Sequence, residues 1–337
     1  MTLSKIRTFA LLGALLAPAL PAPAKAQAPA LTPVTFSLDF RALGRHAAWY
    51  VALDKGYYRE AGLNVSIIAG QGTAQAIQAL ESGIVQFAFS DVAGLVAARA
   101  NSNATAKMVA VIYQKAPYAI FSWRSGVNVT RPEQLEGLEI GSGAGSFTQK
   151  VIEAFMTERG LRRPATYTNV DPSARIGMLA AKRIPAIETF VMSQPGINRA
   201  IGAAETSTFL LADHGLMLYS NGILVREDYL KANPALVRGF IAASLRGWRD
   251  TIANPAEAAD IVVKLNRGLE REVALEEIAI VNNLVVTPLS RRGGLGVIDP
   301  DQMQHSVDLI LKTTGGAQVS AAQVYDASFL PQPPVTP

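Results

Sequence analysis

The sequence predicts an α/β fold of two lobes that are joined by two crossing segments. Short runs rich in β-branched and other apolar residues alternate with segments of helical periodicity up to residue 226. From residue 234 onward helical periodicity dominates. A length of 337 residues corresponds to about two domains. Strands that alternate with helices in this way form mostly parallel sheets with helices packed on their faces.

The first third of the chain contains three predicted strands, at residues 34–40, 64–69 and 84–89. Helices are predicted after the first two strands, at 45–55 and 73–82, and each ends directly before a glycine. The third strand is followed by Ser90-Asp91, a typical N-cap signal for another helix. These elements predict a sheet whose strands are connected by helices.

The middle of the chain repeats the alternation with seven more predicted strands. They lie at residues 107–114, 119–123, 138–141, 166–170, 184–189, 209–212 and 223–226. Helices are predicted at 146–159 and 173–181. We expect the chain to leave the first lobe near 114–117 and to return near 219–223. Two crossing segments form a hinge, and the cleft between hinged lobes is a natural ligand site.

The last third is almost entirely helical, with helices predicted at residues 234–253, 255–266, 270–284 and 299–313. Three of them begin at Asn-Pro or Asp-Pro, because proline suits the first helical turn. The proline-rich residues 331–337 are predicted to be a disordered tail. We therefore assign residues 33–116 and 224–330 to the first lobe and residues 117–223 to the second.

Residues 1–26 are predicted to be a secretory signal peptide. Lys5 and Arg7 precede an apolar run at residues 9–20, and the small-x-small site Ala24-Lys25-Ala26 follows it. The apolar run is too short and too rich in proline to be a good membrane anchor. We therefore expect a periplasmic protein that is cleaved near Ala26.

Charge and cysteine content exclude several function classes. The 31 Lys and Arg residues against 27 Asp and Glu become 28 against 27, a net charge of +1, once residues 1–26 are removed. No basic cluster stands out, so nucleic acid is not an expected partner. The absence of cysteine excludes a disulfide framework, a thiol nucleophile and a lipid-anchoring cysteine. We expect a monomer whose mature length, about 310 residues, supplies a large core.

One segment near the start of the mature chain has a family resemblance. It is Leu38-Asp39-Phe40-Arg41-Ala42-Leu43-Gly44-Arg45-His46-Ala47-Ala48-Trp49-Tyr50-Val51-Ala52, followed by Lys55-Gly56-Tyr57-Tyr58-Arg59-Glu60-Ala61-Gly62-Leu63-Asn64-Val65. The segment resembles the solute-binding family of ABC importers that includes carriers for the pyrimidine precursor of thiamine, sulfonates, taurine and nitrate. The resemblance implies a type II periplasmic binding fold, a small-molecule ligand, and an ABC permease with its ATPase as partners.

The same segment bears on the ligand. Asp39, His46, Tyr50 and Ala52 have the spacing of the pyrimidine-precursor branch, whereas Ala42-Leu43 replaces the Pro-Asn pair of that branch. The resemblance therefore implies a small heteroaromatic such as a thiamine pyrimidine precursor, with a sulfonate or another organic anion as the alternative. Asp39 and Glu188 in the cleft would favour an amine ligand, whereas Arg41 or Arg45 there would favour an anion.

Four further segments extend the resemblance over nearly all of residues 34–313. They are residues 85–91, 131–141, 222–234 and 254–259. The family also includes the fungal thiamine-pyrimidine synthase, so an enzyme is a second alternative. The Cys-rich metal site of that enzyme has no counterpart in a chain without cysteine. We therefore expect a binding protein with no cofactor.

Candidate ligand contacts come from predicted strand ends and helix starts, each with a structural alternative. Asp39 could accept hydrogen bonds from a ligand amine or cap the next helix. Phe40 could stack on a flat ring or belong to the core. His46 could donate to a ligand at a helix start or simply be packed. The complete predicted set is Asp39, Phe40, Arg41, His46, Trp49, Gln71, Gly72, Thr73, Ser90, Asp91, Tyr113, Ser142, Ser146, Phe147, Thr148, Glu188 and Tyr219.

The other members of this set lie in turns, in the second lobe and near the hinge. The N–H groups of the turn at residues 70–73 could cradle a polar group. The turn at residues 141–146 lacks the Gly-Lys-Ser/Thr ending and the GxGxxG spacing of nucleotide-binding loops, so its serines are expected to be plain polar contacts. Glu188 could bind an amine or lie on the surface. Tyr113 and Tyr219 could form an aromatic wall or pack the hinge.

Catalytic and metal sites are not expected. No predicted nucleophile is paired with a base, and no Gly-x-Ser-x-Gly elbow is present in the sequence. The three histidines have no metal-ligand spacing.

Overall fold

In the computed structural model, which describes residues 30–144 and 146–337, two five-stranded sheets form the framework of the described chain. The strands are β1 (Thr32–Ser37), β2 (Leu63–Ile68), β3 (Phe87–Asp91), β4 (Ala106–Val111), β5 (Tyr118–Trp123), β6 (Glu139–Ser142), β7 (Thr166–Asn169), β8 (Ala186–Phe190), β9 (Thr206–Leu210) and β10 (Asn221–Arg226). Each begins and ends within three residues of a strand predicted from the sequence. The predicted signal peptide lies outside the described residues.

The two sheets have the same topology. The first has the order β2-β1-β3-β10-β4, and β10 is antiparallel to both of its neighbours. The second has the order β7-β6-β8-β5-β9, and β5 is the antiparallel strand. We call the halves of the molecule built on these sheets the first and the second lobe. The predicted two-lobed α/β fold class is thereby confirmed.

Helices cover the faces of both sheets. They are α1 (Ala47–Asp54), α2 (Tyr57–Glu60), α3 (Thr73–Glu81), α4 (Val92–Ser102), α5 (Phe147–Glu158), α6 (Arg175–Ala180), α7 (Gln194–Ile201), α8 (Glu227–Ala232), α9 (Pro234–Ala253), α10 (Pro255–Leu265), α11 (Arg271–Val285), α12 (Pro288–Gly293), α13 (Pro300–Thr314) and α14 (Ala321–Val324). Short 3₁₀ turns include Gly44–His46, which leads into α1. None of the described helices combines the length and apolarity that a bilayer crossing requires.

Two segments cross between the sheets, at residues 112–117 and 211–220. The amides of Ile112 and Tyr113 both donate to the carbonyl of Asn221, at 3.0 and 2.8 Å. The amide of Ser220 donates to the carbonyl of Tyr113 at 3.2 Å. The crossing segments are therefore hydrogen-bonded to each other where they meet the first sheet. The lobe boundaries at residues 116 and 224 stay a prediction.

Aromatic side chains form the core beside the first sheet. The ring of Trp49 lies 4.9 Å from that of Phe36, 5.1 Å from that of Phe89 and 5.5 Å from that of Trp248, measured between ring centroids. Aromatic pairs of this geometry contribute about 0.5–1.5 kcal/mol each beyond their buried area. The structure therefore places Trp49, one of the predicted ligand contacts, in the core.

The C-terminal residues 331–337 differ from the predicted disordered tail. The amide of Leu295 donates to the carbonyl of Val335 at 2.7 Å, and the Val335 side chain packs against the apolar core. Prolines restrict the unfolded chain, so ordering this segment loses less conformational entropy than ordering a flexible tail would. The same prolines that indicated a tail therefore favour its packing.

Candidate functional site

A cavity of about 1150 Å³ lies between the two lobes. The first lobe contributes the start of α3 at residues 71–74 and parts of α4, and the second contributes the start of α5 at residues 146–148 and residues 169–175. These segments follow β2, β3, β6 and β7, so the walls stand at the carboxyl ends of strands, where ligands of open α/β sheets bind. Six predicted site residues line the cavity: Gln71, Gly72, Thr73, Ser146, Phe147 and Thr148.

The remaining members of the predicted set do not line this cavity. Phe40 is half-buried and Arg41 is exposed. The others are almost completely buried: Asp39, His46, Trp49, Ser90, Asp91, Tyr113, Ser142, Glu188 and Tyr219. The structure thus brings one part of the predicted set to the cavity and places the other part in the packed layer behind it.

The turn at residues 70–72, which precedes α3, is hydrogen-bonded to residues 39–40, which follow β1. Gly70 N donates to Phe40 O at 3.1 Å, and Gly72 N donates to Asp39 O at 2.8 Å. Gly72 has a φ of 112°, a conformation that only glycine adopts readily. The cavity wall at residues 71–74 is therefore held by backbone hydrogen bonds to the Asp39-Phe40 segment.

Asp39 and His46 form a buried pair behind that wall. His46 Nε2 lies 2.7 Å from Asp39 Oδ1, and Asn221 Nδ2 donates to Asp39 Oδ2 at 2.9 Å. Leu43 N donates to His46 Nδ1 at 3.1 Å, so Nε2 bears the ring proton and donates to Asp39. Both carboxylate oxygens of Asp39 are thus occupied within the protein.

The charge states in this pair follow from its surroundings. Burial would raise the pKa of Asp39, but the hydrogen bond from His46 and the charge of Arg45 outweigh it and lower that pKa. Burial and the charge of Arg45 together lower the pKa of His46 by more than Asp39 raises it. The pair is therefore an ionised carboxylate beside a neutral imidazole, with Arg45 as the nearby cation.

Arg45 is outside the predicted set, although it immediately precedes His46. Its guanidinium carbon lies 5.7 Å from the ring centroid of Phe40 in the first lobe and 5.9 Å from that of Phe190 in the second. Its backbone amide donates to Glu277 Oε2 at 3.2 Å. The sequence analysis considered Arg45 only as a residue that would favour an anion in the cleft, whereas Phe190 offered no comparable signal.

The second lobe pairs its buried charges directly. Arg175 Nη1 lies 2.8 Å from Glu188 Oε1, and the hydroxyls of Ser142 and Ser146 donate to the same oxygen at 2.7 and 3.0 Å. Burial still raises the pKa of Glu188, despite the opposing charge of Arg175. Since Glu188 is 1% exposed and its Oε1 accepts from three groups of the same lobe, its carboxylate is directed into the protein and not into the cavity.

Asp91 links the lobes at the end of β3. Its carboxylate accepts from Ala93 N at 2.7 Å, which caps α4 as the sequence predicts. The other oxygen accepts from the hydroxyls of Ser220, at 2.6 Å, and Tyr118. Because Tyr118 belongs to the second sheet, this carboxylate connects both lobes through hydrogen bonds. Ser90 donates weakly to Thr73 O at 3.4 Å.

The two candidate tyrosines pack at the crossing segments. The Tyr113 ring lies 5.3 Å from that of Phe89, and its hydroxyl has no hydrogen-bond partner among the described residues. The Tyr219 hydroxyl accepts from Asp299 N at 3.0 Å. Both contacts agree with the hinge-packing alternative. Within the described residues, no group of three or more acidic or histidine side chains is arranged to hold a metal ion.

Comparison with known proteins finds a matching family model and several related sequences. A family model described as NMT1/THI5 like matches residues 44–258, more than half of the chain. The riboflavin-binding protein RibY of Chloroflexus aurantiacus is 28% identical over 323 residues, covering 92% of this chain and 89% of that protein. The formylaminopyrimidine-binding protein of Halalkalibacterium halodurans is 23% identical over 275 residues, covering 79% and 81%.

An enzyme is also among the relatives. The 4-amino-5-hydroxymethyl-2-methylpyrimidine phosphate synthase THI11 of Saccharomyces cerevisiae is 25% identical over 244 residues, covering 67% of this chain and 68% of that protein. The two binding proteins cover more of this chain than the synthase does.

A solved structure has the same fold. The alkanesulfonate-binding protein SsuA of Xanthomonas axonopodis pv. citri, bound to MOPS, matches with a TM-score of 0.65 at 16% identity, covering 89% of this chain and 99% of that chain. At this identity the likeness concerns the architecture of two lobes around a cleft.

Proposed function

The chain belongs to the NMT1/THI5-like family, and on that basis we propose that it is the solute-binding component of an ABC importer. It holds a small flat heteroaromatic molecule in the cleft between its lobes. The observation that supports this most directly is the cavity of about 1150 Å³ whose walls come from both lobes at their strand ends. Two binding-protein relatives, named for riboflavin and formylaminopyrimidine, support a heteroaromatic ligand.

The ligand chemistry is supported by the residues around the cleft. Phe147 contributes an aromatic ring to the cavity lining, and aromatic rings favour stacking on a flat ligand. Gln71, Ser146 and Thr148 add polar groups along the cavity wall. The pyrimidine precursor of thiamine is one such flat ligand, and riboflavin is a larger one.

Ligand binding closes the two lobes about the hydrogen-bonded crossing segments at residues 112–117 and 211–220, with lobe boundaries near 116 and 224. The closed form is presented to an ABC permease and its ATPase. The protein acts as a monomer in the periplasm after cleavage near Ala26. Both lobes are needed for this role because each supplies one wall of the cavity.

Native mass spectrometry of protein purified without refolding, followed by calorimetry with riboflavin and formylaminopyrimidine, tests this function. We expect one flat heteroaromatic molecule per chain. The variant Ala74→Trp places an indole in the cavity at the start of α3 and is expected to weaken binding at least tenfold. Ala279→Trp, at an exposed alanine of α11, is the matched control and should bind normally.

Three outcomes would contradict the proposal. Absence of any bound or binding ring compound would remove the ligand class. Formation of a product from the pyrimidine without any added partner would instead favour the synthase alternative. Equal binding by Ala74→Trp and the wild type would place the ligand outside the cavity.

A further inference from the structure

The cavity between the lobes continues away from the cleft along two neighbouring helices of the first lobe. Both α3 and α4 start at the cleft, because they follow the parallel strands β2 and β3, whose carboxyl ends lie there. The lining residues on each helix recur at the spacing i, i+3, i+4 and i+7, which is one helical face. They are Ala74, Ile77, Gln78 and Glu81 on α3, and Gly94, Ala97, Ala98 and Asn101 on α4. We call this part of the cavity the α3–α4 groove.

The size of the cavity exceeds what a single flat ring fills. Residues seven positions apart in a helix lie about 10 Å apart along its axis, so the groove runs about that far from the cleft. Pockets of about 300–1,000 Å³ accommodate ligands of drug size, and this cavity measures about 1150 Å³. A ring beside Phe147 at the cleft therefore leaves the length of the groove for another part of the same ligand.

The lining of the groove changes from apolar to polar with distance from the cleft. Ala74 and Ala97 present methyl groups along its first half. Its far end is lined by Glu81, Asn101 and Ser102, which offer hydrogen-bond donors and acceptors. A group that lies along the groove is therefore matched by an apolar stem and a polar end.

The far end of the groove also has a charge preference. The carboxylate of Glu81 is fixed there, because its Oε1 accepts from Ala106 N at 2.7 Å. Arg226 donates to the backbone carbonyl of Glu81 at 3.3 Å, but its guanidinium is paired with Asp228. Among the described residues that line the cavity, the only Lys or Arg is Arg175, in the second lobe. A negatively charged group at the far end would therefore meet Glu81 without a cation in the lining.

We propose that the ligand carries an uncharged chain with hydrogen-bonding groups on its flat ring, and that this chain lies in the α3–α4 groove. Hydroxyl groups suit the far end, because they can donate to Glu81 and both donate to and accept from Asn101 and Ser102. This inference rests on the proposed function, because it specifies the ligand class of the same cavity. It goes further by requiring a chain as well as a ring.

Calorimetry with two matched pairs of compounds tests the inference. The pairs are lumiflavin with riboflavin, and trimethyllumazine with dimethylribityllumazine. In each pair a hydroxylated chain replaces one methyl group of the same ring system. We expect the chain-bearing compound of at least one pair to bind about tenfold or more tightly, because several added hydrogen bonds together contribute that much. Riboflavin 5′-phosphate should bind about threefold or more weakly than riboflavin, because its charge meets Glu81.

Substitutions in the groove separate the chain from the ring. Ala97→Leu narrows the middle of the groove and should reduce the preference for the chain-bearing compound to about twofold or less. Asn101→Ala, at the exposed far end, should weaken that compound by about threefold. The methyl-bearing compound should bind both variants as it binds the wild type, which also verifies that they are folded. Ala279→Leu, at an exposed alanine of α11, is the matched control and should keep the full preference.

The inference and the proposed function fail in different ways. Equal binding of the two members in both pairs would overturn the inference and leave the proposed function standing. So would equal weakening of both members by a folded Ala97→Leu, or tighter binding of riboflavin 5′-phosphate than of riboflavin. If formylaminopyrimidine binds and none of the four paired compounds does, the inference alone is wrong. If none of these compounds binds, both are wrong.

Discussion

The two lobes share one sheet topology but differ in how each accommodates its buried arginine beside the cleft. In the second lobe Arg175 lies 2.8 Å from Glu188 Oε1, and two serine hydroxyls donate to the same oxygen. In the first lobe Arg45 has no carboxylate of the described chain within 4 Å, and Asp39 is occupied by neutral partners. The second lobe therefore pairs its buried arginine with a carboxylate, whereas the first lobe leaves its buried arginine without one.

The buried carboxylates of the two lobes differ as well. Asp39 has a lowered pKa, because hydrogen bonds from His46 and the charge of Arg45 overcome the effect of burial. Glu188 has a raised pKa, because burial outweighs even its direct contact with Arg175. Equal topology thus does not give equal electrostatics, since the effect of burial and the opposing effect of hydrogen bonds and nearby charges balance differently at the two carboxylates.

The largest expected loss of stability comes from replacing Arg175, the arginine that is paired with Glu188. Arg175→Gln should lower the free energy of unfolding by about 3 kcal/mol, because Glu188 stays buried without its cation. Arg45→Gln should lower it by only about 1 kcal/mol or less, because it removes a charge that lacks a close partner. Urea unfolding at pH 7, followed by circular dichroism, measures both values. Equal losses would mean that Arg45 is paired as closely as Arg175.

A smaller effect is expected from a glycine in each lobe. Gly72→Ala should cost about 1–3 kcal/mol, because a φ of 112° is strained for alanine although the site has space for a methyl group. Gly177→Ala, on α6 of the second lobe and equally open, should instead stabilise by about 0.5–1 kcal/mol through helix propensity. Thermal unfolding of both variants makes the comparison. If Gly72→Ala left the thermal stability unchanged, the turn would be able to relax and accommodate alanine.

The smallest effects are changes in the slope of stability with pH. The lowered pKa of Asp39 gives stability that is present above its ordinary value of 3.8 and lost as the pH falls through its folded value. The raised pKa of Glu188 gives stability that is present below 4.5 and lost as the pH rises through its folded value. Asp39→Asn should therefore flatten the loss on the acid side, whereas Glu188→Gln should remove the loss at higher pH.

Urea unfolding at intervals between pH 3 and pH 7 measures these slopes. Each variant is the control for the other, since both replace a buried carboxylate by an amide. If the two substitutions changed the slope in the same direction, the opposite pKa shifts of the two lobes would be wrong.

The sequence predicted the framework of this protein in detail. Strand and helix signals are local, so β1 to β10, the cap at Asp91 and the helix at Pro234–Ala253 follow from periodicity and capping residues. Gly72 and Ser146 were predicted at the cleft because they sit in turns after strands. The disordered tail was a weaker prediction, because proline-rich composition does not distinguish a free segment from a packed one.

The tertiary structure decided which of the charged candidates are satisfied and which are not. Asp39 was a candidate for an amine ligand until Asn221, 182 residues away, occupied its second oxygen. The surroundings of Arg45 were likewise set by folding. Glu277, 232 residues away, accepts its backbone amide, and its guanidinium lies between two aromatic rings. The sequence by itself determined the family, the elements and their order, because these depend on neighbours along the chain. The tertiary structure determined the polarity of the cleft, because a charge is compensated only by groups that folding brings within a few ångströms.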